Sequence, residues 1–359
     1  MPSKDDILTA LAATPGPDGR TPLPQSGAID GLTMREGKVF LAIKVDPKRA
    51  KALEAMRTAV EATVKAVAGV TGAVVTLTAE TDRPGERPAP QPPHAHRRGV
   101  PESRPVPGVD KIIAVASGKG GVGKSTTACN LALALAKLGM KVGVLDADVY
   151  GPSMPRLFGL DERPKLAADG VKLLPLEKFG VKLISIGLLI EDGAPIVWRG
   201  PMVMQALTQF LREVEWGALD VMVVDMPPGT GDAQLTMAQS VPLAGAVIVS
   251  TPQDLSLIDA RRGAAMFAKV NVPILGVVEN MSYFVCPHCG ERSDIFAHGG
   301  ARHEAEKLGV PFLGEVPLDI VIRETSDDGR PVVASAPASA QAKAYEAIAE
   351  RVAAALSEQ

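Results

Sequence analysis

The apolar residues in the second part of the chain form short, β-branched runs that alternate with longer segments of helical periodicity. Near-continuous apolar runs are typical of strands buried on both faces of a parallel sheet, and the helices between them are expected to cover those faces. The sequence therefore predicts an α/β fold with a mainly parallel sheet covered by helices on both faces. The predicted strands span 111–116, 142–145, 183–186, 221–224, 246–249 and 274–278.

The first 79 residues have a different pattern, in which helical and strand signals alternate over a short length. Such a pattern predicts a small α+β domain. The expected elements are a helix near 7–13, strands within 31–45 and 73–78, and a helix over 47–67.

A proline-rich segment, 80–107, separates the two patterns. Its composition favours extended backbone and cannot bury a core, so His94 and His96 within it are interpreted as part of a solvated linker. The predicted organisation is thus an α+β domain over 1–79, a linker over 80–107 and an α/β domain over 108–359.

The overall composition argues against partners that are recognised by charge or by insertion into a membrane. The 359 residues carry 38 basic and 41 acidic side chains, a net charge of −3, so no global field favours nucleic acid or an anionic membrane. No run reaches the roughly 18 apolar residues of a membrane span, and the N-terminus has no targeting pattern. We expect a cytoplasmic protein with neither nucleic acid nor membrane as partner.

A phosphate-binding pattern lies between the first predicted strand of the large domain and the helix that follows it. In this context the glycines let backbone N–H groups face phosphate oxygens, and the helix N-terminus adds partial positive charge. Lys124 is expected to contact the β- and γ-phosphates of ATP, and Ser125 to bind Mg²⁺. The residues are Gly118, Lys119, Gly120, Gly121, Val122, Gly123, Lys124, Ser125 and the adjoining Thr126.

Carboxylates follow two other predicted strands. Asp225 ends an apolar run in the form of a Walker B strand, so it is expected to hold the water shell of Mg²⁺. Asp146 ends the strand over 142–145 and is interpreted either as a second carboxylate near Mg²⁺ or as an ordinary strand-end residue. Both lie at the carboxyl edge of the sheet, where open α/β folds bind ligands.

The run Lys-Gly-Gly-Val-Gly-Lys-Ser-Thr resembles the deviant-Walker ATPases. The resemblance implies that Lys119 reaches across a nucleotide-sandwich homodimer and that Asp148 orients or activates the attacking water. It further implies that Asn280 contacts the base and that Pro317 closes over adenine. Hydrolysis of ATP is then the expected activity, with Lys119, Lys124 and Asp148 as its catalytic residues.

A Cys-x-x-Cys pair, Cys286 and Cys289, lies in an insertion after the last predicted strand. Two thiolates at this spacing can bind one metal, and two copies facing across a dimer axis could supply four, which suits an iron–sulfur cluster or tetrahedral zinc. Alternatively, His288 and His298 could complete a zinc site in one chain. Cys129, on the helix after the phosphate loop, is interpreted as a packing residue.

Several further motifs together resemble the Mrp/ApbC-type iron–sulfur cluster carriers over 108–355. They are Asp-Ala-Asp-Val-Tyr-Gly-Pro-Ser, Trp-Arg-Gly-Pro, Met-Pro-Pro-Gly-Thr-Gly-Asp and Cys-Pro-His-Cys-Gly. The resemblance implies a homodimer that bridges a 4Fe–4S cluster, receives it from donor proteins and passes it to apo iron–sulfur proteins under the control of ATP. The N-terminal region is similar to a small iron–sulfur assembly domain, but it has no cysteine, so we expect it to serve partner docking or target selection.

The main alternative is a zinc-stabilised positioning or chaperone ATPase of the same superfamily. A positioning ATPase bound to membrane carries a C-terminal amphipathic helix with bulky apolar and basic residues. Here the predicted helix over 338–356 is rich in alanine, and its narrow apolar stripe is expected to pack on the domain's own core. A nitrogenase-reductase-like electron donor would need widely separated cluster cysteines. The stripe consists of Tyr345, Ile348, Val352 and Leu356.

Overall fold

The computed structural model of the chain describes residues 4–35, 38–45, 53–70, 72–79, 105–189 and 200–358. It divides into two compact units, Met1–His96 and Arg97–Gln359. The predicted linker lies outside the described residues except for 105–107, and the predicted domain boundaries stay a prediction. Trp198 and Arg199 of the Trp-Arg-Gly-Pro motif and residues 47–52 of a predicted helix also lie outside them.

The described residues of the N-terminal unit form a three-stranded sheet with two α-helices, which confirms the predicted α+β character. The apolar signal over 31–45 forms two antiparallel strands, and the third strand pairs with β2 in parallel, giving the order β1-β2-β3. Its core includes Ile7, Leu41, Ile43 and Val60, all buried. The elements are α1 (Lys4–Ala10), β1 (Ile29–Arg35), β2 (Lys38–Val45), α2 (Glu54–Lys65) and β3 (Gly72–Ala79).

The second unit is built on an eight-stranded sheet in the order β13-β10-β9-β4-β8-β5-β7-β6. Every neighbouring pair is parallel except β6 and β7, so the predicted mainly parallel sheet is confirmed. The strands are β4 (Val109–Ala116), β5 (Val142–Asp146), β6 (Leu176–Lys178), β7 (Val181–Ser185), β8 (Leu219–Asp225), β9 (Gly245–Ser250), β10 (Ile274–Glu279) and β13 (Phe312–Glu315). A separate hairpin consists of β11 (Phe284–Val285) and β12 (Arg292–Ser293).

Helices cover both faces of this sheet. Successive residues of β5 show it: Val144 packs into the apolar cluster on one face and Leu145 into the cluster on the other. Tyr345 and Ile348 of the C-terminal helix are buried in the first cluster, as its apolar stripe predicts. The helices are α3 (Lys124–Lys137), α4 (Met154–Phe158), α5 (Gly200–Arg212), α6 (Asp232–Ser240), α7 (Asp254–Lys269), α8 (Gly300–Leu308), α9 (Ile320–Asp327), α10 (Val332–Ser335) and α11 (Ala340–Ser357).

The two edge strands, β6 and β13, are absent from the predicted set. Both are short, at three and four residues, and β6 has no fully buried residue, so neither has the continuous apolar run of the central strands. Val106, assigned by its sequence to the linker, is buried in the large unit's core. In the described part of the chain, no helix is both long and apolar enough to cross a membrane.

Candidate nucleotide site and cysteine hairpin

The phosphate loop connects β4 to α3, and its glycines adopt conformations that other residues avoid. Gly121 and Gly123 have φ values of 80° and 78°. A Cβ on Gly123 would lie 2.2 Å from Nδ2 of Asn280, and one on Gly118 would lie 2.2 Å from the carbonyl oxygen of Asp259. Gly120 and Gly121 have open space in that direction. The loop therefore passes close to the protein at its ends and is open at its centre, beside the N-terminus of α3.

Lys124 lies at the centre of a buried polar cluster. Its Nζ is 2.5 Å from Oδ1 of Asp225, 3.2 Å from Oγ of Ser125 and 3.7 Å from Oδ2 of Asp148. Only 6% of its side chain is exposed. The fold thus brings together four residues that the sequence assigns to the phosphates, Mg²⁺ and the attacking water.

Asp225 retains unused hydrogen-bonding capacity. Burial raises the pKa of its carboxyl group, and Lys124 opposes that shift. Its Oδ2 is buried and accepts no hydrogen bond from the described residues. An unpartnered buried carboxylate oxygen near the Ser125 hydroxyl suits Mg²⁺ or a water bound to it, so the residues present fit this metal.

Asp148 is also buried in this cluster. Burial raises the pKa of its carboxyl group, while the nearby Lys124 lowers it. The nearby backbone N–H groups of Gly151 and Tyr150 lower the pKa further. Its Oδ2 lies 3.7 Å from Nζ of Lys124, so Asp148 is farther from the lysine than Asp225 is.

Asp146 has a structural role in this fold, which favours the second of its two interpretations. Oδ2 accepts hydrogen bonds from the N–H groups of Ser153 and Met154 at 3.2 and 3.1 Å, and from Oγ of Ser185 at 2.8 Å. These bonds fix the start of α4 and the end of β7. Burial, followed by the charge of Asp225, raises the pKa of Asp146 to about 7.

A cavity of about 330 Å³ adjoins the loop. Gly123, Thr126, Asn280 and Pro317 line it, so the residues assigned to the base and the end of the phosphate loop meet at one place. Nδ2 of Asn280 donates to the carbonyl oxygen of Val122 at 2.8 Å. The amide therefore also holds the loop backbone, a contact that the sequence does not predict.

The side chain of Lys119 is half-buried and makes no ion pair with the described residues. The hydroxyl group of Ser117 donates a hydrogen bond to the carbonyl oxygen of Lys119 at 2.8 Å, which holds the backbone of the loop. The lysine is thus separate from the carboxylates that Lys124 contacts. Its action in a partner's site stays a prediction.

Cys286 and Cys289 lie in the turn between β11 and β12. The N–H of Cys286 donates to Glu291 O at 2.9 Å, and the N–H of Gly290 donates to Cys286 O at 2.8 Å. The N–H groups of Cys289 and His288 lower the pKa of the Cys286 thiol, with a smaller contribution from the Cys289 side chain. Cys289 is exposed and Cys286 is half-buried. The turn thus presents two neighbouring thiols, with backbone donors that stabilise a thiolate.

The single-chain zinc site is not formed. The described residues contain no group of three or more His, Cys, Asp and Glu side chains placed to hold a metal. Nε2 of His298 instead lies 3.1 Å from Oε2 of Glu315. Cys129 is buried in the sheet–helix core, and burial raises the pKa of its thiol, as expected for a packing residue.

One buried polar residue of this region is not among the predicted site residues. Glu279, next to Asn280, is completely buried and accepts three hydrogen bonds at the root of the cysteine insertion. In the sequence it is only a carboxylate at the end of an apolar strand run, a pattern that it shares with other charged strand ends.

The parallel sheet, the glycine loop and the buried lysine–carboxylate cluster define a P-loop nucleotide-binding protein. A family model described as NUBPL iron-transfer P-loop NTPase matches residues 108–353, and a model of iron–sulfur cluster assembly proteins matches residues 4–76. The first match covers more than half of the chain, which therefore belongs to the NUBPL iron-transfer P-loop NTPase family. The resemblance to iron–sulfur cluster carriers is confirmed.

Individual relatives agree with this assignment. An Arabidopsis thaliana mitochondrial iron–sulfur protein required for NADH dehydrogenase is 60% identical over 246 residues, 68% of this chain and 78% of the relative. An iron–sulfur cluster carrier protein of Synechocystis sp. is 44% identical over 357 residues, 98% of each chain. A nucleotide-binding protein from Archaeoglobus fulgidus, solved with ADP, is 43% identical with a TM-score of 0.56, covering 62% of this chain and 87% of that one.

Proposed function

We propose that this protein is an ATP-dependent iron–sulfur cluster carrier, in which two chains bridge one 4Fe–4S cluster through Cys286 and Cys289 of each. The observation that carries the proposal is the thiol pair in an accessible turn, with no third metal-binding side chain assembled beside it among the described residues. A 4Fe–4S cluster usually takes four thiolates, so one cluster requires two copies of this pair.

The nucleotide site supports ATP as the controlling ligand. The open loop amides and the N-terminus of α3 would bind the phosphates, and Lys124 would exchange its contact with Asp225 for β- and γ-phosphate oxygens. Ser125 and Asp225 would hold Mg²⁺, and the ion would neutralise part of the phosphate charge. Asp148 would orient the attacking water for hydrolysis.

The base and the dimer partner complete the proposed site. Asn280 and Pro317 line the cavity beside Gly123 and Thr126, where an adenine base would lie. Lys119, which makes no ion pair with the described residues, would reach the nucleotide of the second chain in a homodimer. Binding and hydrolysis of ATP would then change the contacts between the two copies.

The cluster is the cargo of this protein. Backbone donors that lower the pKa of the Cys286 thiol favour the thiolate that ligates iron, while the accessible turn leaves the cluster open to thiolates of a recipient. Recipients would be apo iron–sulfur proteins, and donor proteins would supply the cluster, in the cytoplasm. The N-terminal region, which matches the assembly-protein family, would dock partners or select targets.

Anaerobic reconstitution followed by iron, sulfide and zinc analysis tests the proposal. The expected product is a dimer with about four irons, on the ligand count of a 4Fe–4S cluster. Cys286→Ala and Cys289→Ala should each lose the cluster and keep ATP binding. Cys129→Ala is the matched control, since its thiol is buried in the core.

Two results would contradict the bridging cluster. One is metal-loaded protein that runs as a monomer in size-exclusion chromatography with light scattering. The other is a single zinc ion per chain, which the knuckle-like Cys-Pro-His-Cys-Gly turn could also hold and which would support the zinc-stabilised ATPase.

A further inference from the structure

The cysteine insertion leaves the sheet after β10 and rejoins the fold at α8. Its first leg starts at Met281, whose φ of 55° is uncommon for a residue with a side chain. Its second leg ends at Gly299, which caps α8 with a φ of 76°. Cys286 and Cys289 lie between these two legs. The contacts that hold the legs in place therefore also determine the position of the two thiols.

One side chain contacts both legs. Oε1 of Glu279 accepts from Oγ of Ser282 at 2.6 Å and from the N–H of Gly299 at 3.0 Å. Oε2 accepts from the N–H of Ala301 at 2.6 Å. Glu279 and Ser282 are both fully buried, so water does not replace these bonds without local opening. The carboxyl group therefore closes the root of the insertion.

The surroundings of this root are closely packed. A Cβ on Gly300 would lie 2.8 Å from Cδ1 of Leu257 and 2.9 Å from the carbonyl oxygen of Pro252, so the start of α8 packs against α7 and the segment before it. On the other leg, the N–H of Ser282 donates to Val316 O at 3.0 Å. Glu279 thus ties the insertion to elements that are themselves held in place.

The same strand end also contacts the nucleotide site. Asn280, the next residue, donates to the carbonyl oxygen of Val122 in the phosphate loop. The N–H of Leu318, which lines the cavity beside the loop, donates to Tyr283 O at 2.7 Å. The orientation of the cysteine turn is therefore set relative to the nucleotide loop by a short run of bonded residues.

We propose that Glu279 is a positioning residue for the thiol pair: its buried carboxyl group joins Ser282 to Gly299 and Ala301, and so holds the Cys286–Cys289 turn in the orientation that retains a bridging cluster. The part that concerns the cluster rests on the proposed function. The part that concerns the insertion rests on the hydrogen bonds alone.

The substitution Glu279→Gln separates shape from hydrogen bonding. An amide has nearly the same size, but it replaces one acceptor oxygen by an NH₂ group that faces a donor. At least one of the three bonds is then lost and two donors are brought together. Ser282→Ala removes a single bond from the first leg. Glu304→Gln is the matched control, because Glu304 is a buried carboxylate of α8 that pairs with Arg261 outside the insertion.

Hydrogen exchange of the full chain without cluster or nucleotide is the first measurement. In Glu279→Gln we expect amides of 282–301 to exchange on the order of ten-fold faster, the effect of losing one hydrogen bond of ordinary strength. Ser282→Ala should give a smaller increase in the same segment. Exchange in β9 should be unchanged, and Glu304→Gln should leave 282–286 unchanged.

Cluster release is the second measurement. Reconstituted Glu279→Gln should lose its cluster to an iron chelator roughly ten-fold faster than the unsubstituted chain, while ATP affinity changes less than about three-fold, because the loop and Lys124 are untouched. If Glu279→Gln does not fold, Ser282→Ala decides the outcome by the same two measurements.

Unchanged exchange and unchanged release in Glu279→Gln would overturn the positioning role. So would faster exchange that Glu304→Gln reproduces at 282–286, since the effect would then be general to α8. If the unsubstituted chain binds no cluster, yet Glu279→Gln still speeds exchange at 282–301, the positioning role stands and the proposed cargo is wrong.

Discussion

Lys124 is expected to stabilise the fold as well as to bind phosphate. It is the cation beside the buried carboxyl groups of Asp148 and Asp225, and the Asp225 side chain has no exposed surface. Removing one partner of such a pair leaves an uncompensated buried charge, which costs about 3–5 kcal/mol. Lys124→Ala should therefore lower the free energy of unfolding by about this amount at pH 8, without any nucleotide.

The loss should shrink at lower pH. Asp225 can lose its unpaired charge by taking up a proton. For a carboxyl group whose pKa in the unfolded chain is about 3.9, protonation costs about 1.4 kcal/mol for each pH unit above that pKa. The loss of stability cannot exceed this cost of protonation, which is about 3 kcal/mol at pH 6 and more than 5 kcal/mol at pH 8. Near pH 6, where protonation costs no more than the unpaired charge, the folded variant binds a proton that the unfolded chain lacks, so its stability falls as pH rises from there. Asp225→Asn in the Lys124→Ala background removes the charge and should restore most of the lost stability at pH 8.

Denaturant unfolding followed by tryptophan fluorescence measures this effect. Both tryptophans, Trp198 and Trp216, lie in the unit Arg97–Gln359, so the signal reports on the unit that contains Lys124. Lys119→Ala is the matched control, a lysine of the same loop with no ion pair to the described residues, and should change stability by less than about 0.5 kcal/mol. Lys124 does not stabilise the fold in this way if Lys124→Ala unfolds like the unsubstituted chain at pH 8, or if Asp225→Asn does not restore the stability of Lys124→Ala. A loss of ATPase activity in Lys124→Ala reports on catalysis only where the variant is shown to be folded.

Other positions of the site lead to separate expectations. Asp148→Asn should keep nucleotide affinity and lose hydrolysis, because Asp148 would position water; an equal loss of affinity in a titration would place it in the binding shell. Gly123→Ala should weaken ATP binding by at least ten-fold, since φ is 78° and the new Cβ would lie 2.2 Å from Nδ2 of Asn280; wild-type affinity by calorimetry would show that the loop tolerates the change. Alkylation of Cys286 in metal-free folded protein should have a lower pH midpoint than in the same protein unfolded in denaturant, because backbone donors lower its pKa; in Cys289→Ala the folded midpoint should stay below the unfolded one, since those N–H groups remain, and a folded midpoint at or above the unfolded one in either protein would mean that the turn does not favour the thiolate.

The parts of this protein that the sequence determines are those whose signal is local. The phosphate loop is one contiguous run, and its left-handed positions require glycine wherever the rest of the chain lies. The central strands are buried on both faces, so each is a continuous apolar run that indicates a strand by itself. The Cys-x-x-Cys turn is likewise complete within a few residues.

The tertiary structure alone decides contacts between residues far apart in the chain. Lys124 meets Asp225 across 101 positions, and Asn280 meets Val122 across 158, because parallel strands bring their carboxyl ends to one edge of the sheet. Asp146 could serve a metal or the fold, and only the donors that the folding brings to it favour the fold. Glu279 looks like any charged strand end in the sequence. Its role depends on two legs of an insertion that meet at its carboxyl group, and no local pattern records such a meeting.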